Sequence, residues 1–124
     1  MAIELETRNP TPAVSGSVED ANSWCKAYTK VRAKNFYYAF AILPPAKRNA
    51  IYAAYAFSGH VDDIADELTD RAEQVDQLAA ARRDLHAAAN GQATGPLFTA
   101  LADMFERFNV PVQYFDDLVD GVEM

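Results

Sequence analysis

Carboxylates at helical spacing offer the clearest chemistry in this sequence: Asp62, Asp63, Asp66, Glu67 and Asp70 close an otherwise apolar run that begins near Tyr52. Acidic residues at a helix end ordinarily read as a solvated surface. Here the crowding is costly, because the C-terminal end of a helix is already negative and each further charge there is penalised by about 0.3–1 kcal/mol. Like charges four residues apart repel as well. A divalent cation relieves both penalties, and carboxylates with retained waters and substrate phosphates are the ligand set Mg²⁺ prefers. The pattern points to a metal and diphosphate site built on Asp62 and Asp66, one turn apart.

The element that must position these acids is a helix. Ala50, Ala54, Phe57, Val61 and Ile64 with Ala65 recur at steps of four and three, the period of one helical face. At roughly 100° per residue, Tyr55, Ser58, Gly59, Asp62 and Asp66 form a second stripe beside it. Pro45 suits the first turn of this helix, while Lys47 and Arg48 read as surface residues without a role. His60, two positions from Asp62, reads as a packing residue near the acids and not as a ligand.

The other segments read as further helices. Residues 1–17, with Asn9-Pro10-Thr11-Pro12 and Ser15-Gly16-Ser17, form a flexible lead-in. Ser17-x-x-Asp20 is a capping box for a helix from Val18 to Arg32 with Trp24, Ala27, Tyr28 and Val31 as its apolar stripe. The aromatic run from Phe36 to Phe40 is apolar nearly all round and stops at Pro44-Pro45, which suits a wall between core and cavity. Asp70-x-x-Glu73 restarts a helix that ends at Asn90-Gly91, with His86 as a favourable cation near its end. Gly95-Pro96 opens another, with Leu97, Ala100, Leu101, Met104, Phe105 and Phe108 facing the core. Pro111 takes the first position of the last, whose stripe is Tyr114, Phe115, Leu118, Val119 and Val122. Its Asp116-Asp117-x-x-Asp120 echoes Asp62-Asp63-x-x-Asp66 and reads as a solvated face in preference to a second metal site. No strand or hairpin signal occurs, so the fold class is all-α, with residues 18–124 as one helical unit.

Composition narrows the function. The chain has 124 residues, half of them hydrophobic, and a formal charge of −7, enough apolar content for a core and no basic stripe for nucleic acid. The single cysteine, Cys25, excludes an internal disulfide and suits a cytoplasmic setting. No apolar run approaches the roughly 18 residues of a membrane span, which leaves a soluble or membrane-peripheral protein. Glycine-rich phosphate loops, zinc spacings and a Gly-x-Ser-x-Gly elbow are absent from the sequence.

From about Trp24 onward the sequence resembles the N-terminal part of the squalene/phytoene synthase family. The resemblance rests on Asn35-Phe36-Tyr37-Tyr38-Ala39-Phe40, Leu43-Pro44-Pro45 through Lys47-Arg48, Tyr52-Ala53-x-Tyr55-Ala56-Phe57 and Val61-Asp62-Asp63-Ile64-Ala65-Asp66-Glu67. It implies a portion of the isoprenoid synthase helical bundle and Mg²⁺-dependent, head-to-head condensation of two prenyl diphosphates, farnesyl or geranylgeranyl. The products would be squalene, dehydrosqualene or phytoene, made through a cyclopropylcarbinyl diphosphate. NADPH would enter only where the product is squalene. By position, Asp62 and Asp66 match catalytic metal ligands, with Asp63 supporting. Lys34, Asn35 and Tyr55 fall near substrate diphosphates, and Phe36 and Phe40 in the cavity lining.

The sequence departs from that pattern in three places. Ser58-Gly59 stands where the family usually carries Cys-Arg, and Arg32-Ala33-Lys34-Asn35 where it more typically reads His-Ser-Lys-Ser or Gly-Ser-Ser. The second aspartate-rich motif and its Asn-x-x-Arg pattern do not occur. The last helix reaches Met124 with no stop signal, so the sequence reads as a truncated chain, inactive alone. The alternative reading is a noncatalytic helical binding module, a partner subunit that a second chain completes.

Overall fold

The computed structural model describes residues 17–33, 37 and 40–123. Among them the chain is all-α, with five helices: α1 Val18–Arg32, α2 Pro45–Glu67, α3 Arg71–Ala89, α4 Gly95–Arg107 and α5 Gln113–Glu123. The lead-in through residue 16 and the substrate-side candidates Lys34, Asn35 and Phe36 lie outside the described residues.

Local chemistry sets the helix ends. The Ser17 side chain accepts from the Asp20 N–H at 3.0 Å, and Asp70 accepts from Ala72 N–H at 3.1 Å, each satisfying a donor that has no partner within its helix. α3 stops where the Gln92 N–H reaches back to the Ala87 carbonyl at 2.8 Å across Gly91, whose φ of 83° is left-handed. The Gln74 side-chain amide donates to the carbonyls of Ala65 and Leu68, closing the C-terminal end of α2. Pro111 falls ahead of the last helix and not within it. Its carbonyl, with that of Val112, accepts the first N–H groups of α5 and turns the chain into the helix at Gln113.

α2 is the central element, in contact with α1, α3, α4 and α5. Its buried residues Tyr52, Ala53, Ala56, Phe57, Gly59, Val61 and Ile64 occupy more than one face. Phe57 meets Phe98 of α4 and Phe115 of α5 edge to face, with centroids 6.3 and 5.6 Å apart, a favoured aromatic geometry. At its other end Tyr52 stacks on Tyr37 at 5.8 Å and takes the edge of Phe40. Phe40 thus packs on the base of α2.

Several apolar stripes differ from the sequence expectation. α1 buries Ala21, Cys25, Tyr28 and Thr29, while Ala27 is exposed. A threonine fits the core here because its hydroxyl donates to the Cys25 carbonyl at 2.9 Å. On α5, Tyr114 and Leu118 face outward and only one side of the helix, at Phe115 and Val119, reaches the core. Arg48 is half-buried and donates to the Ala41 carbonyl at 3.2 Å, so it braces the turn before α2. Among the described residues no helix is long and apolar enough to cross a membrane.

Candidate functional site

The acidic end of α2 divides into two kinds of carboxylate. Asp62 and Asp66 are exposed, and among the described residues neither takes part in a hydrogen bond or ion pair. Asp63, between them in sequence, turns toward α1, where both its oxygens are held by the Arg32 guanidinium at 2.6 and 2.8 Å. Position on the helix produces the difference. Asp62 and Asp66 are one turn apart and share a side, while the intervening residue points about 100° away.

Arg32 is itself fixed on a second side, its guanidinium carbon lying 5.2 Å from the centroid of the Tyr28 ring one turn earlier on α1. The carboxylate of Asp63 raises the guanidinium's pKa further, against the opposing effect of burial. Tyr28 continues outward to the Tyr55 ring, 6.4 Å away and edge on, and inward to Gly59. A Cβ on Gly59 would overlap the Tyr28 hydroxyl and lie 3.0 Å from Cε1 and Cζ of that ring. Gly59 is therefore the buried edge of the stripe, where the Tyr28 side chain of α1 packs directly on α2. The Tyr28 hydroxyl is sealed there with no hydrogen-bond partner among the described residues, and burial, followed by the nearby Asp63 charge, raises its pKa and keeps it protonated.

His60 packs as the sequence suggested, edge on to Phe98 at 6.1 Å. Burial lowers its pKa, against the opposing pull of Asp63 and Asp84.

The second acidic motif has a different fate. Asp116 is buried, and its carboxylate accepts from Arg82 at 2.9 Å and pairs with His86 Nε2 at 2.8 Å. Arg82 also reaches Asp120 at 2.8 Å and Glu123 at 3.1 Å, while Asp117 accepts from Gln113 at 2.9 Å. Asp117 and Asp120 are exposed, as expected of a solvated face, whereas Asp116 turns inward and, with Arg82 and His86, clamps α3 to α5. Sequence reasoning missed this clamp and the Arg32 pair alike. Both join residues about thirty positions apart, for which no local pattern exists.

Among the described residues no three His, Cys, Asp or Glu side chains converge as a closed metal cage. Asp62 and Asp66 fit an open Mg²⁺ site, in which one or two protein carboxylates are completed by water and substrate phosphate oxygens. The donors are hard oxygens, they face solvent, and the last turn of α2 carries no basic residue.

Comparison with known proteins places these features in a wider setting. The family model described as squalene/phytoene synthase matches residues 29–124. The phytoene synthase of Mycobacterium tuberculosis is 36% identical over 107 residues, covering 86% of this chain and 35% of that protein. The presqualene diphosphate synthase of Zymomonas mobilis is 37% identical over 94 residues, 75% of this chain and 32% of the relative. A dehydrosqualene synthase crystallised in complex with ligand superposes with a TM-score of 0.76 at 29% identity, over 86% of this chain and 37% of that one. The chain spans about a third of the length of these relatives.

Proposed function

This chain belongs to the squalene/phytoene synthase family, and from that premise we propose that it carries one wall of a site for Mg²⁺ and prenyl diphosphates. The complete enzyme would join two such substrates head to head, through a cyclopropylcarbinyl diphosphate, to a phytoene, dehydrosqualene or squalene product. NADPH belongs to the reaction only for the squalene outcome. The observation that carries the reading is the solvent-facing pair Asp62 and Asp66, without partners among the described residues at the negative end of α2, while Asp63, Asp116 and Asp120 are each matched by an arginine.

In this reading Asp62 and Asp66 hold Mg²⁺, and Asp63 supports the site through Arg32. Bound there, the metal would supply Lewis acidity for departure of the diphosphate. Tyr55 stands beside the acidic stripe, within ring contact of Tyr28. Lys34 and Asn35 remain candidates for the diphosphate, Phe36 and Phe40 for the prenyl chain. Turnover requires a second acidic wall facing this one.

Calorimetric titration of Mg²⁺ with a nonhydrolysable prenyl diphosphate tests the reading. The wild-type chain is expected to bind the pair together, and Asp62→Ala with Asp66→Ala to lose that binding. Equal affinity in both proteins would leave the cluster as plain surface. With farnesyl or geranylgeranyl diphosphate and Mg²⁺, this chain alone is expected to form no hydrocarbon.

A further inference from the structure

We propose that the N-terminal segment of this chain docks along a groove between α3 and α4, with residues 10–14 in its apolar trough and Arg8 against Glu106. It would strap the start of α1 to the turn that joins those two helices. The inference is independent of the diphosphate reading.

The groove has a volume of about 460 Å³, and no described residue of α2 lines it. Val18, Ala88, Ala93, Ala102 and Phe105 form its apolar walls. Ala93, Ala102 and Phe105 pack on the core yet stay only half-buried, so a covering segment would take further apolar surface out of water.

The position of the chain selects the occupant. Val18 is both a wall of this groove and the first residue of α1, and residues 1–17 lead directly into it. The Ser17 backbone is extended, with φ −69° and ψ 150°, so the chain leaves the helical path there. A segment tethered at the mouth of a groove meets it at an effective concentration on the order of millimolar. A free partner has no such advantage.

The composition of the segment fits as well. Pro10 and Pro12 fix their own φ and favour extended backbone at Asn9 and Thr11, which lowers the ordering cost of docking. Neither proline carries an N–H, so fewer donors need partners against apolar walls. Arg8 is the only lysine or arginine in residues 1–25. On the groove, Asp103 is already matched by Arg107 at 3.0 Å, which leaves Glu106 as its exposed acid. An exposed ion pair contributes little affinity. Its role here is to set the direction in which the segment lies.

The experiment attaches a nitroxide to the whole chain through Thr7→Cys, with Cys25 shielded from the reagent by burial, and reads the broadening of amide resonances. Loss of signal is expected at Ala93, Ala102 and Glu106, and much less at Asp62 and Asp66. Even broadening over the surface would overturn the proposal. Ala102→Trp fills the trough and is expected to restore most of the lost signal, while an unchanged pattern would count against docking there. The pattern of the tagged chain stands as a test even if that variant fails to fold. In a mixture of tagged chain with untagged, isotope-labelled chain, the untagged signals are expected to keep their height. Their loss at Ala93 and Ala102 would mean that the segment docks on a second copy, and the strap within one chain would fall.

Discussion

The hydroxyl of Tyr28 is sealed against Gly59 without a hydrogen-bond partner among the described residues, and a buried polar group left unmatched carries a desolvation cost. Tyr28→Phe removes that group and leaves the ring, so the urea midpoint is expected to rise, corresponding to about 1 kcal/mol. Gly59→Ala does the opposite, forcing a methyl into the hydroxyl at a cost of about 1–3 kcal/mol. Because the hydroxyl is the first atom struck, the Tyr28→Phe, Gly59→Ala pair should recover part of that loss, measured as a coupling energy in a double-mutant cycle. Additive effects would show that the two residues do not share this space. The sequence showed Gly59 as a small residue on the acidic stripe, and its counterpart lay 31 positions away on another helix. Asp62 and Asp66 were readable because helical spacing is local. The different surroundings of Asp62 and Asp63 were not, since they depend on where α1 places a guanidinium.

At the scale of helices, start and stop signals carried far. Ser17, Asp70 and Asn90-Gly91 cap or end the helices they were expected to, because capping is decided within a few residues. The buried face of α1 was harder to read. Thr29 counts as polar in any hydrophobic pattern, yet it enters the core by bonding the carbonyl one turn back. α5 was misread for a related reason. Asp116 is buried against Arg82 and His86 of α3, a partnership between distant segments. That clamp predicts a localised effect: Asp116→Ala removes the acceptor shared by Arg82 and His86 and should cost about 1–2 kcal/mol. Amide exchange in α5 is expected to quicken well before exchange in α2 and α4, and uniform acceleration across all helices would refute a clamp specific to α5.

Over the whole molecule, Cys25 reports on integrity. It is fully buried in the face of α1, and burial pushes its thiol pKa from 9.0 up to about 12. The folded state thus holds the thiol proton more tightly than the unfolded chain does. The sign follows: this group leaves stability unaffected below the unfolded value of 9.0 and lowers it as pH climbs from there toward about 12. Alkylation of the native protein at pH 8 is expected to proceed only as fast as global unfolding admits reagent, and a denaturant-independent rate would refute this. The class and family were legible from the sequence because helical periodicity and a long run of ordered motifs do not depend on tertiary detail. The way the helices share out their charges does depend on it.

One consequence concerns the order of arrival. Asp62 and Asp66 sit unneutralised at the negative end of a 23-residue helix in a chain of formal charge −7, a field that favours approaching cations and turns away bare anions. On the diphosphate reading, the two components of the ligand are therefore not interchangeable in time. Asp62 and Asp66 would take up the cation first, or a diphosphate already carrying one, and a bare diphosphate would be held off until that charge had been set down. The arrangement of charge on one helix then dictates a sequence of events as well as a place for them.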